Sequence, residues 1–145
     1  MATQKLSHNI ITRPRQKDMD EWKEWGATRK VNVYVDGDIV KGGYYLQGTW
    51  WYKASDVAYP DKPHSHDFDE YLGFIGTNPN DPFDLGGEME LWMDGEKYTL
   101  TQTSMIFVPA GVEHAPVYCR RADTPIWFFA TTHQTLYKST AEPEG

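Results

Sequence analysis

The chain has 145 residues, the size of one ordinary domain, and a formal net charge of −7 from 14 Lys plus Arg against 21 Asp plus Glu. An acidic chain with no basic run is a poor partner for nucleic acid, and no apolar stretch approaches the roughly 18 residues that a membrane span needs. A single cysteine, Cys119, excludes an intrachain disulfide and a cysteine-based zinc site, and the N-terminus lacks the apolar core of a secretory signal, so a cytoplasmic protein is expected.

Aromatic residues make up 14% of the chain, and 12 Gly and 9 Pro interrupt it often, which fits short strands joined by turns better than a helical bundle. Residues 1–28 read as an N-terminal extension. A short helix is expected within 18–30, with Trp22 and Trp25 on one side. From Arg29 the pattern changes: Val31, Val33 and Val35 alternate with Asn32, Tyr34 and Asp36, the period of a strand. Residues 40–53 are rich in Tyr, Trp and Thr and read as one or two core strands. Two prolines make 56–63 a loop, and 70–76 is apolar and strand-like. The stretch 77–87, TNPNDPFDLGG, is turn chemistry throughout and reads as a surface loop. Residues 88–93 and 96–102 flank Asp94-Gly95, a strong hairpin signal. A short strand at 105–108 stops at Pro109-Ala110-Gly111. The last two strands are expected at 112–119 and 126–131, and 139–145 reads as a frayed tail. The sum is an all-β domain over 29–138 with about eight to ten strands, closed as a barrel or packed as a two-sheet jelly roll.

Five histidines stand at positions 8, 64, 66, 114 and 133. In His64-Ser65-His66 the two imidazoles, two residues apart on a strand, share a face. Glu70 follows four residues after His66, and His114 lies three residues after Gly111. Three neutral imidazoles and one carboxylate form a borderline donor set for Fe, Mn, Ni, Co, Cu or Zn, with positions left open for water or substrate. His-x-His alone is a weak signal. The conjunction of HxHxxxE, a hairpin and PxGxxH in an all-β chain is what carries the assignment. His8 and His133 read as surface residues.

HSHDFDE at 64–70 resembles the first motif of the cupins, and PAGVEH at 109–114 resembles the second; the resemblance spans about residues 40–131. It implies a double-stranded β-helix, that is, a jelly-roll barrel, holding one divalent transition metal ion per chain on His64, His66, Glu70 and His114. The chain departs from the motifs at Ala58, Thr77 and Thr103, where the family has glycine, and at Tyr118, where it has Asn. Tyr118 has the parity of His114, so its hydroxyl is expected to face the cavity beside the metal as a catalytic acid. By the same parity Leu72 and Phe74 go with Glu70, and Val112 and Pro116 with His114. Tyr44, Trp50, Tyr52, Trp92, Trp127 and Phe129 are candidates for an aromatic wall. Asp67 and Asp69 are candidates to orient imidazole N–H groups, Glu113 is expected in solvent, and Cys119 reads as a small buried residue.

These features point to a metal-dependent enzyme with a small-molecule substrate. An aromatic wall favours a dioxygenase acting on an aromatic or enolisable substrate. The alternatives are a non-redox lyase, isomerase or decarboxylase with the metal as Lewis acid, and a non-catalytic module that binds a small molecule or sugar. A homodimer through Trp22, Trp25 and the 31–35 strand is expected, two-fold dimers being the commonest oligomers.

Overall fold

Gly, Pro and Asx turns cut the chain into short runs, and eight of these pair as strands in this computed structural model, which describes residues 5–23 and 26–137. Trp25 and the tail at 139–145 lie outside the described residues. A seven-residue helix α1 (Gln16–Trp22) precedes β1 (Arg29–Val35), β2 (Leu46–Trp51), β3 (Glu70–Ile75), β4 (Asp84–Met93), β5 (Glu96–Gln102), β6 (Ser104–Val108), β7 (His114–Ala122) and β8 (Ile126–Thr131). The strands form a five-stranded sheet in the order β1-β2-β8-β3-β6 and a three-stranded sheet in the order β5-β4-β7, with every pairing antiparallel. This is the expected jelly roll. No helix among the described residues is long and apolar enough to cross a membrane.

Asp94 (φ 52°) and Gly95 (φ 76°) make the expected tight hairpin between β4 and β5. The expected loop over 77–87 is shorter than its composition suggests. β4 already begins at Asp84, and a register shift between Asp84 and Met89 takes up the Gly86-Gly87 pair as a bulge. β1 also carries an irregularity, between Val31 and Val33, which turns Tyr34 inward opposite Gln47. Trp22 is half-buried and packs on Tyr34 of its own chain, with ring centroids 5.5 Å apart.

The inner faces of the two sheets meet in a core around Trp51, Phe74, Leu85, Met89, Leu91 and Ile126. The outer face of the large sheet carries Trp127 and Phe129, whose rings lie 5.0 Å apart. They lie flat because glycines flank them: a Cβ on Gly48 would stand 2.4 Å from the Trp127 ring, and one on Gly73 2.2 Å from the Phe129 ring. Glycine inside a strand pattern marks such a close approach.

Candidate metal centre

Backbone hydrogen bonds bring the two histidine-bearing segments together. The His64 N–H donates to the His114 carbonyl at 3.0 Å, and the His114 N–H returns the bond at 2.9 Å. The Gly111 N–H donates to the His66 carbonyl at 2.8 Å. Asp69 completes the latch by accepting the Ala110 N–H at 2.9 Å, so it holds the 109–111 turn rather than an imidazole.

His64 Nδ1 stands 2.7 Å from the Lys62 carbonyl, and His114 Nδ1 stands 3.0 Å from the Val112 carbonyl. A carbonyl only accepts, so each Nδ1 carries the proton and each Nε2 presents a lone pair. His66 is held differently, stacked on Phe68 with centroids 4.7 Å apart and planes 11° from parallel. The ligand atoms of His64, His66 and His114 all lie within 4.8 Å of one another. Glu70, the first residue of β3, brings Oε2 to 3.3 Å from His66 Nε2 and Oε1 to 3.7 Å from His114 Nε2. All four side chains are buried.

Burial also sets the electrostatics. It pushes the Glu70 carboxyl up to about 8. It pulls the His114 imidazole down to about 4, with the Val112 hydrogen bond opposing and the neighbouring His64 and His66 adding to the fall. Glu70 Oε2 and His114 Nε2 are buried with no hydrogen-bond partner. Leaving such a group unsatisfied costs about 1–3 kcal/mol. A divalent transition ion fits the residues present: it would satisfy both orphaned atoms at once, and its charge would offset that of the buried carboxylate.

The site opens on a cavity of about 670 Å³ whose lining includes Arg29, Tyr45, Gln47, Tyr59, Phe128 and Tyr137, with His64, Glu70 and His114 at its wall. The six aromatics named from the sequence are not among the lining residues. Tyr44 and Tyr52 are exposed, Trp127 and Phe129 lie on the outer face, and Trp50 pairs directly opposite Trp127. Trp92 donates its indole N–H to Glu90 on the outside of the small sheet, at 2.9 Å.

Tyr118, expected at the cavity, also lies outside it. It faces outward opposite Glu90, and its ring centroid lies 4.0 Å from the Arg120 guanidinium carbon. The cause is a bulge in β7. Leu91 opposes Val117 and Met93 opposes His114, so β7 has one residue more than β4 over this stretch. Ala115 absorbs it at φ 82°. Alternation then restarts with Val117 and Cys119 inside, and Pro116 and Tyr118 lose the parity of His114. Cys119 is fully buried, and burial pushes its thiol up to about 11, which suits an inert core residue. His8, Glu113 and His133 are exposed. Thr103 uses its hydroxyl to accept the Gly76 N–H at 3.0 Å and donate to the Pro82 carbonyl at 2.9 Å, a role glycine would leave unfilled.

No family model and no curated protein matches the sequence. Solved structures do match the fold. A mutant of Bacillus subtilis oxalate decarboxylase superposes with a TM-score of 0.53 at 15% identity, over 78% of this chain and 28% of that one. An oxalate oxidase in complex with glycolate gives 0.51 at 11% identity, over 78% of this chain and 54% of that one. An RmlC-like cupin from Shewanella frigidimarina gives 0.41 at 18% identity, over 71% and 72%. The chain shares with the first two a cupin-like jelly-roll fold.

Within this barrel one residue at the site escaped the sequence analysis. Tyr137 Oη lies 3.1 Å from His64 Nε2 and 3.1 Å from His66 Nε2. After β8 the chain turns back over the cavity mouth, where the Gln134 carbonyl accepts the Tyr45 N–H at 2.9 Å and the Thr135 carbonyl accepts the Gly37 N–H at 2.8 Å. The Tyr137 ring packs on Tyr45, with centroids 4.8 Å apart. Its position lies in neither motif and in no periodic segment, so only the path of the chain reveals it.

Proposed function

We propose that this protein is a metal-dependent enzyme acting on a small, oxygen-bearing polar molecule bound in the barrel cavity. One observation carries the reading: three buried imidazoles and a buried carboxylate converge, His64, His114 and Glu70 among them at the wall of a cavity of ligand size, and Glu70 Oε2 and His114 Nε2 have no hydrogen-bond partner. A divalent transition ion held by His64, His66, Glu70 and His114 would supply Lewis acidity, or a redox centre, at that wall.

The chain's own residues perform the rest. Hydrogen bonds from Nδ1 to backbone carbonyls fix the His64 and His114 rings, and the Glu70 carboxylate balances part of the ion's charge. Tyr45 donates its hydroxyl to Gln47 Oε1 at 3.0 Å, and Gln47 Nε2 donates to the Tyr59 hydroxyl oxygen. This row locks the carboxamide and gives the cavity a polar wall. Arg29 is buried with its guanidinium carbon 4.3 Å from the Tyr59 ring centroid and 4.9 Å from that of Trp51, and it adds a fixed positive charge to the same wall. Such a lining suits a hydroxy, keto or carboxylate substrate.

The dioxygenase reading drew on an aromatic wall, and those aromatics lie elsewhere. Other aromatics, Tyr34, Tyr45, Tyr59, Phe128 and Tyr137, do line the cavity. What favours a non-redox lyase, isomerase or decarboxylase is the polar row and the buried Arg29 set among them, which suit a substrate oxygen that is polarised while the phenol and amide groups orient the rest of the molecule. The test is turnover of small hydroxy and keto acids by metal-loaded protein, with and without oxygen. The proposal expects activity that persists anaerobically and disappears on chelation and in Glu70→Gln. Strict oxygen dependence would establish the dioxygenase instead, and saturable binding with no product would mark a binding module.

A further inference from the structure

We infer that Tyr137 is a fifth protein ligand of the metal ion, so that the C-terminal segment completes the centre with a phenolic oxygen. The inference rests on the metal-centre reading above. Tyr137 Oη is equidistant, at 3.1 Å, from His64 Nε2 and His66 Nε2. Two donor atoms that share one first-row ion in adjacent positions, each at about 2.0–2.2 Å from it, stand about 3 Å apart. Without an ion the two contacts are those of a phenol that donates to His64 Nε2 and accepts from a protonated His66 Nε2; with an ion both nitrogens present lone pairs and the oxygen can join them as a ligand. The His64 ring is held through its Nδ1 contact with the Lys62 carbonyl, which leaves Nε2 on the side of Tyr137. The spacing is therefore that of a ligand set as much as that of a hydrogen bond.

Position and charge agree with it. The Tyr137 ring is pinned between Tyr45 and His66, with centroid separations of 4.8 Å to each, so its oxygen has little freedom to swing away. The backbone just before it is tied down through Gln134 and Thr135. On metal binding the phenol O–H bond breaks, the proton leaves to solvent, and the oxygen pair enters the coordination shell with no change of oxidation state. One carboxylate and one phenolate then neutralise a divalent ion inside a buried site, where an uncompensated charge is costly. Three nitrogens and two oxygens leave one position of an octahedron for a substrate oxygen.

Cupric ion is a suitable probe, because a phenolate bound to it gives a visible charge-transfer band with enhanced phenolate modes in resonance Raman. Metal-free protein titrated with cupric ion is expected to take up one equivalent by elemental analysis and to show that band. Tyr137→Phe should lose the band and bind copper at least about tenfold more weakly, the minimum seen when even an indirect partner of a ligand is removed. Tyr45→Phe, which removes the hydroxyl of the ring packed on Tyr137, should keep the band. One equivalent of copper with no band in the unaltered protein, or a band that survives in Tyr137→Phe, overturns the inference and leaves the metal centre standing. Failure of the unaltered protein to hold copper any better than His114→Ala overturns both.

Discussion

The two ends of the barrel interior are built by the same strands and do opposite work. On β3 the inward residues run Glu70, Leu72, Phe74; on β2 they run Gln47, Thr49, Trp51; on β7 they run His114, Val117, Cys119. The pairings align these series. Gln47 and Leu72 both face Ala130 of β8, while Thr49 and Phe74 both face Phe128, and Trp51 faces Ile126. One end is thus dry, with Trp51, Phe74, Met89 and Ile126 fully buried, and the other collects the imidazoles, the carboxylate and the phenols. The dry end supplies burial, which stabilises the fold. The polar end holds groups that burial makes costly, and a bound ion would offset that cost.

The largest expected effect comes from breaking the dry end. Phe74 is fully buried and packs on Phe128 with centroids 4.9 Å apart. Phe74→Ala should lower stability by about 3–5 kcal/mol in urea denaturation, while the folded fraction binds metal with unchanged stoichiometry. The polar end should respond the other way. At an ion concentration of 100 Kd, the unaltered protein should gain about 2.7 kcal/mol over the chelated form. Glu70→Gln should abolish most of that gain yet leave the metal-free protein no less stable.

The pH dependence of the metal-free protein sharpens the contrast. Burial raises Glu70 to about 8 in the folded chain, so between its ordinary value of 4.5 and 8 the folded state binds more protons than the unfolded one, and stability falls as pH rises. Burial lowers His114 from 6.5 to about 4, so between those values the unfolded state binds more protons and stability rises with pH. The two oppose each other up to about pH 7, and above that Glu70 dominates. Chelated protein should therefore lose about 1–2 kcal/mol between pH 6.5 and 8, at up to about 1.4 kcal/mol per pH unit. The same urea series in Glu70→Gln should lose that fall and show at most a slight rise over the range.

The smallest effect is expected outside the barrel. Tyr118→Phe removes a hydroxyl on the outer face and should change stability by less than about 0.5 kcal/mol. Turnover should be unaltered, because the ring lies against Arg120 and away from the cavity.

What could be read from the sequence follows from how local the signal is. The jelly roll was legible because alternation, the Asp94-Gly95 turn and the Pro-Gly breaks act over a few residues each. The group formed by His64, His66, Glu70 and His114 was legible because two short motifs fix it. Which aromatics face inward was not. Parity must be counted through every irregularity, and one extra residue in β7 sent Tyr118 outward, while another irregularity in β1 brought Tyr34 inward. Gly48 and Gly73 did hold a clue, since glycines in aromatic strands signal a ring lying across the backbone. Tyr137 had no such signal, because its place depends on the path of a chain end that only the folded protein defines.

The central claim is that one metal ion sits at the polar end. The most direct measurement is the anomalous diffraction of crystals grown from protein purified without chelators and reconstituted with the ion it retains. A single peak is predicted within about 2.0–2.2 Å of the Nε2 atoms of His64, His66 and His114 and of a Glu70 carboxylate oxygen. A peak elsewhere, or no peak among these four side chains at full metal occupancy in solution, would contradict it.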